Sequence, residues 1–304
     1  MAAPQPPRRV VLLINPTSGR GRGGRNAPLA ADRLRARGVH VVEVCGQSAD
    51  ESFELARQAL DEGADALVAC GGDGTVHLAL QLVAGTETPL GIIPVGTGDD
   101  NARTLGLPLA DAEAAADIVA GGHVRTVDAG RISAADGVQR WFLGVMSSGF
   151  DSAVNERANT ISWPKGQARY LVSILGELRV FKPLPYTVVI DDVHHDGKAM
   201  LVAVGNGVSY GGGMKVCPSA IVDDGELSVL FLAELGKPTF LRVLPKVFSG
   251  THVTHPAVTE YSGRRIHLDA PDQIVYADGE RVGPLPADIE VAPGAVRVIV
   301  PAQG

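Results

Sequence analysis

Three glycines and an aspartate interrupt an otherwise apolar stretch at VACGGDGTVHLAL, Val68 to Leu80. An apolar run that ends in Gly71-Gly72-Asp73-Gly74 and enters a helical pattern at Thr75 presents backbone N–H groups at a helix N-terminus, where the partial positive charge suits phosphate oxygens. The glycines permit close backbone approach and positive φ. Asp73 repels a phosphate, so its partner has to be a magnesium ion, a ribose hydroxyl or the proton of an acceptor hydroxyl, which points to phosphoryl transfer. A glycine turn with Asp73 merely capping the helix is the plainer explanation of one such turn. The next apolar run, LGIIPVGTGDDNARTLGLP, again ends in a Gly-Thr-Gly turn with carboxylates ahead of a helix. In a parallel sheet both turns lie at the carboxyl ends of strands, where ligands bind. A GxxxxGK[ST] phosphate loop is absent. Gly19, Gly21 and Gly24 match GxGxxG with Glu43 downstream, but NPTS separates the strand from the first glycine and Glu43 sits inside its strand.

The elements that must position these turns can be read from periodicity. Over about the first 125 residues, apolar runs (RVVLLIN, VHVVEV, DALVACGG, PLGIIPVG) alternate with helical patterns at Leu29 to Arg37, Ser48 to Asp61, Val76 to Val83, Ala102 to Leu105 and Ala110 to Ala120. That alternation predicts crossover units on a parallel sheet. From VRTVDAGRI onward, short β-rich runs punctuated by Gly, Pro and Asp predict an antiparallel sandwich. One helix interrupts it near Gly166 to Arg179, where Leu171, Ile174, Leu175 and Leu178 share a face; that stripe is read as core, with Trp163, Lys165, Arg169 and Lys182 giving it a second reading as a lipid face. The expected fold is therefore α/β plus β: an α/β domain over 1–128, a β-sandwich over 129–290, and a final strand near 291–304 expected to pack back on the first domain.

The net charge of -7 argues against generic nucleic-acid binding. The first 37 residues nevertheless carry Arg8, Arg9, Arg20, Arg22, Arg25, Arg33, Arg35 and Arg37 against Asp32, which suits a solvated face, a phosphate ligand or an anionic membrane surface. No apolar window reaches spanning length, and the start MAAPQPPRRVVLLIN lacks a secretory cleavage region, so the expected address is cytoplasmic. Cys45, Cys70 and Cys217 fall outside any CxxC spacing and are read as unpaired thiols. His194 and His195 in DDVHHDGK are read as a hairpin loop.

The segments NPTSGRG (Asn15 to Gly21), GGDGT (Gly71 to Thr75) and GTGDDNAR (Gly96 to Arg103) resemble the nucleotide-binding motifs of the diacylglycerol kinase catalytic family, which includes bacterial soluble diacylglycerol kinases, sphingosine kinases and ceramide kinase. GNGVSYGGGMKVCPSAIVDDGELSVLFL (Gly205 to Leu232) resembles that family's β-domain signature, and ADGE (Ala277 to Glu280) its acid motif. The five motifs, in the family's order, span nearly the whole chain. The resemblance implies an NAD kinase/diacylglycerol kinase-like two-domain fold with ATP in the interdomain cleft. ATP would lie against Asn15, Ser18, Gly19, Gly71, Gly72, Asp73, Gly74, Thr75, Gly96, Thr97 and Asp278. Cys45 falls where bacterial members often place a nucleotide-contacting threonine. Glu280 matches the general base proposed in bacterial members, and Asp73 the aspartate assigned to the nucleotide's metal or to the base role. Asp224 matches a side-chain ligand of a second, structural Mg2+, with backbone oxygens near Ile221 and Glu226. A tight Asp-Asp-Gly turn is the alternative there.

The family usually reads Gly-Thr-Gly-Asn-Asp-Phe-Ala-Arg, whereas this chain has Asp99 and Asn101 in place of the first Asn and the Phe, flanking Asp100. An added carboxylate and a lost aromatic where the acceptor headgroup is expected imply an acceptor other than, or broader than, plain diacylglycerol. The implied activity is ATP-dependent phosphorylation of a neutral lipid hydroxyl, diacylglycerol to phosphatidic acid first, by a peripheral protein at the inner membrane surface; a homodimer is left open. The alternatives are an NAD kinase-like or phosphofructokinase-like small-molecule kinase and a non-catalytic nucleotide- or lipid-binding protein.

Overall fold

A computed structural model describes residues 6–161 and 167–302. Trp163 and Lys165 lie outside the described residues, as do the side chains of Arg169, Leu171 and Leu175. In the first half, β1 (Arg9–Ile14), α1 (Ser18–Ala36), β2 (His40–Val44), α2 (Ala49–Asp61), β3 (Ala66–Gly71), α3 (Asp73–Val83), β4 (Leu90–Pro94), α4 (Asp100–Thr104) and α5 (Ala112–Gly121) follow in turn. The strands pair in parallel in the order β2-β1-β3-β4. Because both faces of the sheet are covered, β1 is apolar at consecutive positions and does not alternate. Val11 and Leu13 pack with α2 and α3, and Val10 and Leu12 with α1 and α5.

Two helices differ from the reading of the sequence. Helix α1 begins eleven residues before Leu29, within the Arg/Gly segment that reads as a loop. Gly19, Arg20 and Gly21 take left-handed φ values of 59°, 62° and 84°, and the regular helix forms beyond them. Gly23 can join it because its Cα lies against the Asn15 carbonyl, where a side chain has no room. In the second half, helix α6 (Phe150–Thr160) stands where only β texture was read, ahead of α7 (Gln167–Val180).

The second half comprises β5 (Val124–Ala134), β6 (Gln139–Phe142), β7 (Val145–Gly149), α6, α7, β8 (Leu184–Ile190), β9 (Val193–His194), β10 (Gly197–Gly205), β11 (Leu227–Ala233), α8 (Lys237–Val243), 3-10 turns over Leu244–Ser249 and Thr251–Thr254, β12 (Val258–Gly263), β13 (Arg265–Asp269), β14 (Ile274–Ala277), β15 (Glu280–Pro284) and β16 (Ala287–Ile299). Apart from one link these strands pair antiparallel. The link is β16, which runs beside β5 and β13 and then pairs in parallel with β4 through Val298 and Leu90. His194 lies in the β8–β9 hairpin, and His195 packs its ring 4.2 Å from that of Tyr261.

The β5–β16 ladder shifts register between Ala292 and Val296, and a single buried side chain spans the break. Asp128 accepts hydrogen bonds from Gly294 N and, through its other oxygen, from Gly225 N, both at 2.7 Å. Asp128→Ala leaves both N–H groups without their acceptor, so we expect a loss of about 2–4 kcal/mol in urea-induced unfolding. Asp128→Asn, which keeps one acceptor oxygen, is expected to lose clearly less.

Candidate active site

Three turns at the carboxyl ends of β1, β3 and β4 meet at the start of α3. Ser18 Oγ accepts from Gly72 N at 3.2 Å, and the Arg22 guanidinium donates to the Gly96 carbonyl. The turns after β3 and β4 touch backbone to backbone: a Cβ on Gly96 would lie 2.5 Å from Gly72 Cα. Gly96 therefore has no room for a side chain, and a Cβ on Gly72 would meet Gly96 Cα at 3.1 Å, a tight contact. Asn15 Oδ1 accepts from Thr17 N and Oγ1, which shapes the first turn. The Thr75 hydroxyl is buried against Gly71 and has no hydrogen-bond partner among the described residues. Thr97 and Cys45 are exposed at the rim.

Two carboxylates fasten the second half onto these turns. Asp100, at the start of α4, accepts from Ser209 Oγ (3.0 Å), Gly212 N (2.6 Å) and Gly213 N (2.7 Å). Asp278 accepts from Leu143 N (3.0 Å) and Gly144 N (2.9 Å), and its Oδ2 lies 3.4 Å from His77 Nδ1 on α3. Asp278 and Gly279, at φ 51° and 86°, form the two-residue turn joining β14 to β15, a turn that Asp-Gly favours. The turn delivers Glu280 to the N-terminus of α3, where a Cβ on Gly74 would lie 2.6 Å from Glu280 Oε1. Outside the turn, Tyr276 Oη (2.7 Å) and Arg281 Nε (3.2 Å) donate to Glu156 of α6.

Asp73 is the electrostatic centre. Burial pushes its carboxyl up to about 6, the Asp100 and Asp278 charges push the same way, and the Asn101 N–H opposes them. Its Oδ1 accepts from Asn101 N at 3.1 Å and from Asn101 Nδ2 at 3.4 Å. Asp99, in left-handed backbone at φ 52°, turns inward, and its Oδ1 accepts from Gly96 N at 2.9 Å. Burial raises the Asp99 carboxyl, opposed by the Gly96 N–H and Arg22. The three residues assigned from the sequence to the acceptor headgroup thus make protein contacts: Asp99 closes the Gly96 turn, Asp100 joins the halves and Asn101 holds Asp73. All three side chains are buried. Asp278, assigned to the nucleotide, likewise spends its oxygens on the Leu143 and Gly144 amides.

Sequence reasoning missed His77, and it named Arg22 only within the basic run and Ser209 and Gly211–Gly213 only within the β-domain signature, without their contacts to the turns. His77 stands in the GGDGTVH run itself, and the triple glycine after Tyr210 was the available sign of a backbone docking point. Asp224 lies apart, in an exposed turn where its Oδ1 accepts from Glu226 N at 3.1 Å, beside exposed Ile221. Asp223 pairs with Arg125. Among the described residues no three His, Cys, Asp or Glu side chains are arranged to hold a metal ion by themselves. A cation at Asp73 or Asp224 therefore needs carbonyl, phosphate or water oxygens as well, which suits magnesium.

Beside this cleft, the second half holds an apolar pocket lined by Phe150, Val154, Met214, Leu230, Phe240 and Val258 among others. His252 is one of its few polar walls; burial lowers its pKa, and its Nε2 lies 3.2 Å from the Val216 carbonyl. No helix among the described residues is long and apolar enough to cross a membrane.

Residues 9–132 match the diacylglycerol kinase catalytic domain, and residues 144–300 match the YegS C-terminal NAD kinase beta sandwich-like domain. A diacylglycerol kinase of Mycobacterium tuberculosis is 43% identical over 297 residues, 97% of this chain and 96% of the relative. The crystal structure of a putative diacylglycerol kinase from Bacillus anthracis superposes with a TM-score of 0.79 at 25% identity, covering 99% and 97% of the two chains. An NAD kinase from Archaeoglobus fulgidus in complex with ATP shares the fold alone, at a TM-score of 0.54 and 16% identity over 96% and 92%. The chain belongs to the bacterial lipid kinase family built on the diacylglycerol kinase catalytic domain, and it is an ATP-dependent phosphotransferase with an alcohol as acceptor.

Proposed function

We propose that the chain phosphorylates the hydroxyl of a neutral lipid at a membrane surface, with diacylglycerol, giving phosphatidic acid, as the first acceptor. The observation that carries this reading is the placement of Glu280, from the second half, against Gly74 and beside Asp73, in a chain that also builds an apolar pocket able to take hydrocarbon. The glycine turns and the buried, unpartnered Thr75 hydroxyl fit a nucleotide triphosphate at the α3 N-terminus. Asn15, Ser18, Gly19, Gly71 to Thr75, Gly96 and Thr97 line it, with Cys45 at the rim and Asp278 shaping its floor.

When bound, magnesium-ATP supplies the transferable phosphoryl group and neutralises its oxygens. The chain's part is positioning and proton transfer. Asp73, with one oxygen held by Asn101, offers the other to the cation. Among the described residues, nothing hydrogen-bonds the exposed Glu280 carboxylate, which leaves it available to take the acceptor's proton. A structural magnesium at Asp224, completed by carbonyl oxygens near Ile221 and Glu226 and by water, belongs to the same reading, since Asp224 has a second oxygen to give. Asp99 and Asn101 act on the acceptor in this reading through what they hold, the Gly96 turn and Asp73.

Transfer of labelled phosphate from magnesium-ATP to neutral lipids in mixed micelles, with NAD and fructose 6-phosphate as controls, tests the reading. Glu280→Gln is expected to lower kcat by roughly 10²–10⁴ with ATP affinity retained; full activity in Glu280→Gln sinks its role as base, and product on NAD alone sinks the lipid reading. Gly96→Ala, which drives a methyl group into Gly72, is expected to abolish ATP binding measured by calorimetry.

The raised carboxyl of Asp73 also sets a pH dependence. An acid whose folded pKa exceeds its unfolded value is better protonated in the native state, so the charged form at neutral pH costs stability, and that cost vanishes as pH falls below the unfolded value near 4. Cation binding needs the charged form. We expect the acid limb of kcat/KM to turn near pH 6, and Asp73→Asn to be inactive yet to melt higher than the parent at pH 7.5.

A further inference from the structure

The segment between Glu234 and Glu260 reverses the acidic character of the chain: it carries Lys237, Arg242 and Lys246 and no Asp or Glu. It forms α8 and the two 3-10 turns, and it is two-sided. Its inner face, Phe240, Val243, Leu244 and Val247, lines the apolar pocket. Its outer face exposes Leu241 (45%) and Phe248 (56%), with exposed Arg242 and Lys246 between them in the sequence. The end of α7 extends the patch, because Lys237 Nζ donates to the Arg179 carbonyl, next to the 57% exposed Val180. Among the described residues neither Arg242 nor Lys246 has a carboxylate partner.

In the arginine-rich start, the other basic region, five of the eight arginines are already engaged by the first half itself, while Arg8, Arg20 and Arg25 are exposed without a carboxylate partner among the described residues and have no large apolar side chain exposed in their own segment before Leu29. Arg9 pairs with Glu62, Arg33 and Arg37 with Asp117, and Arg35 with Asp32 and Glu43. Arg22 is bound to the Gly96 carbonyl.

We infer that the outer face of α8 and the following 3-10 turn is the surface that docks on an anionic bilayer. Leu241 and Phe248 enter below the headgroups while Arg242 and Lys246 meet the lipid phosphates, an arrangement that combines apolar burial with charge attraction. The same short segment is the wall of the apolar pocket, so docking sets that pocket at the depth where hydrocarbon begins. The inference rests on the lipid kinase reading for its purpose and on charge and exposure for its location.

Two double variants test it: Leu241→Ser with Phe248→Ser, and Arg242→Glu with Lys246→Glu. Binding is read by co-sedimentation with vesicles of phosphatidylglycerol and phosphatidylcholine, and with phosphatidylcholine alone. Transfer to a short-chain, monomerically dispersed diacylglycerol is read in parallel. The parent is expected to prefer the anionic vesicles, and each variant to lose roughly tenfold or more in binding, at about fivefold per cation. Activity on the dispersed acceptor is expected to stay within twofold. Parental vesicle binding in both variants overturns the proposal, as does a loss found instead in Arg8→Glu with Arg25→Glu. A parent inactive on every dispersed acceptor overturns the lipid kinase reading, and the vesicle measurement still decides the surface.

Discussion

The carboxylate of Asp100 is the fastening on which the cleft depends. It sits at the start of a five-residue helix and accepts a hydroxyl and two backbone amides from the opposite half of the molecule. Asp278 repeats the device in the other direction, held by two amides of its own half and reaching His77 on α3. Charge-assisted bonds of this kind are short and directional, so they fix how one half sits on the other better than apolar contact does. The relation between Glu280 and Asp73 is a by-product of that registration.

The fastening has a cost that falls on Asp73. Asp99, Asp100 and Asp278 are buried together beside the half-buried Asp73, and two of them, Asp99 and Asp278, sit in left-handed backbone. Amide donors offset part of the charge of all four, but at Asp73 the Asn101 and Asp100 N–H groups do not outweigh burial and the Asp100 and Asp278 charges, and its carboxyl stays raised. A cation beside Asp73 would relieve this repulsion, which is the part the proposed function gives to the nucleotide's metal ion.

Much of this was legible in the sequence because it is local. Strand, glycine turn and helix follow one another within a dozen residues at Val68 to Leu80, and the parallel sheet shows in the alternation of apolar runs. Helix α1 was read too short because glycine and arginine between Asn15 and Asn26 lack apolar periodicity; packing against Asn15 sets its conformation. Helix α6 follows a buried strand without a break in composition. The inward turn of Asp278 could not be read, since its partners Leu143 and His77 lie 135 and 201 residues away. The bonds that Asp99 and Asn101 make to the Gly96 turn and to Asp73 could not be read either, because a substitution shows a change of side chain and not the direction in which the backbone aims it.

Strand β16 carries a consequence for biosynthesis. It supplies the outer neighbour of β4, so a ribosome-bound chain that has emerged only through α5 holds a parallel sheet with one long edge unprotected. Nearly 180 residues beyond α5 must be translated before Val298 reaches Leu90. The first half therefore matures last along that edge, although it is made first, and holdase chaperones have their natural substrate in the interval.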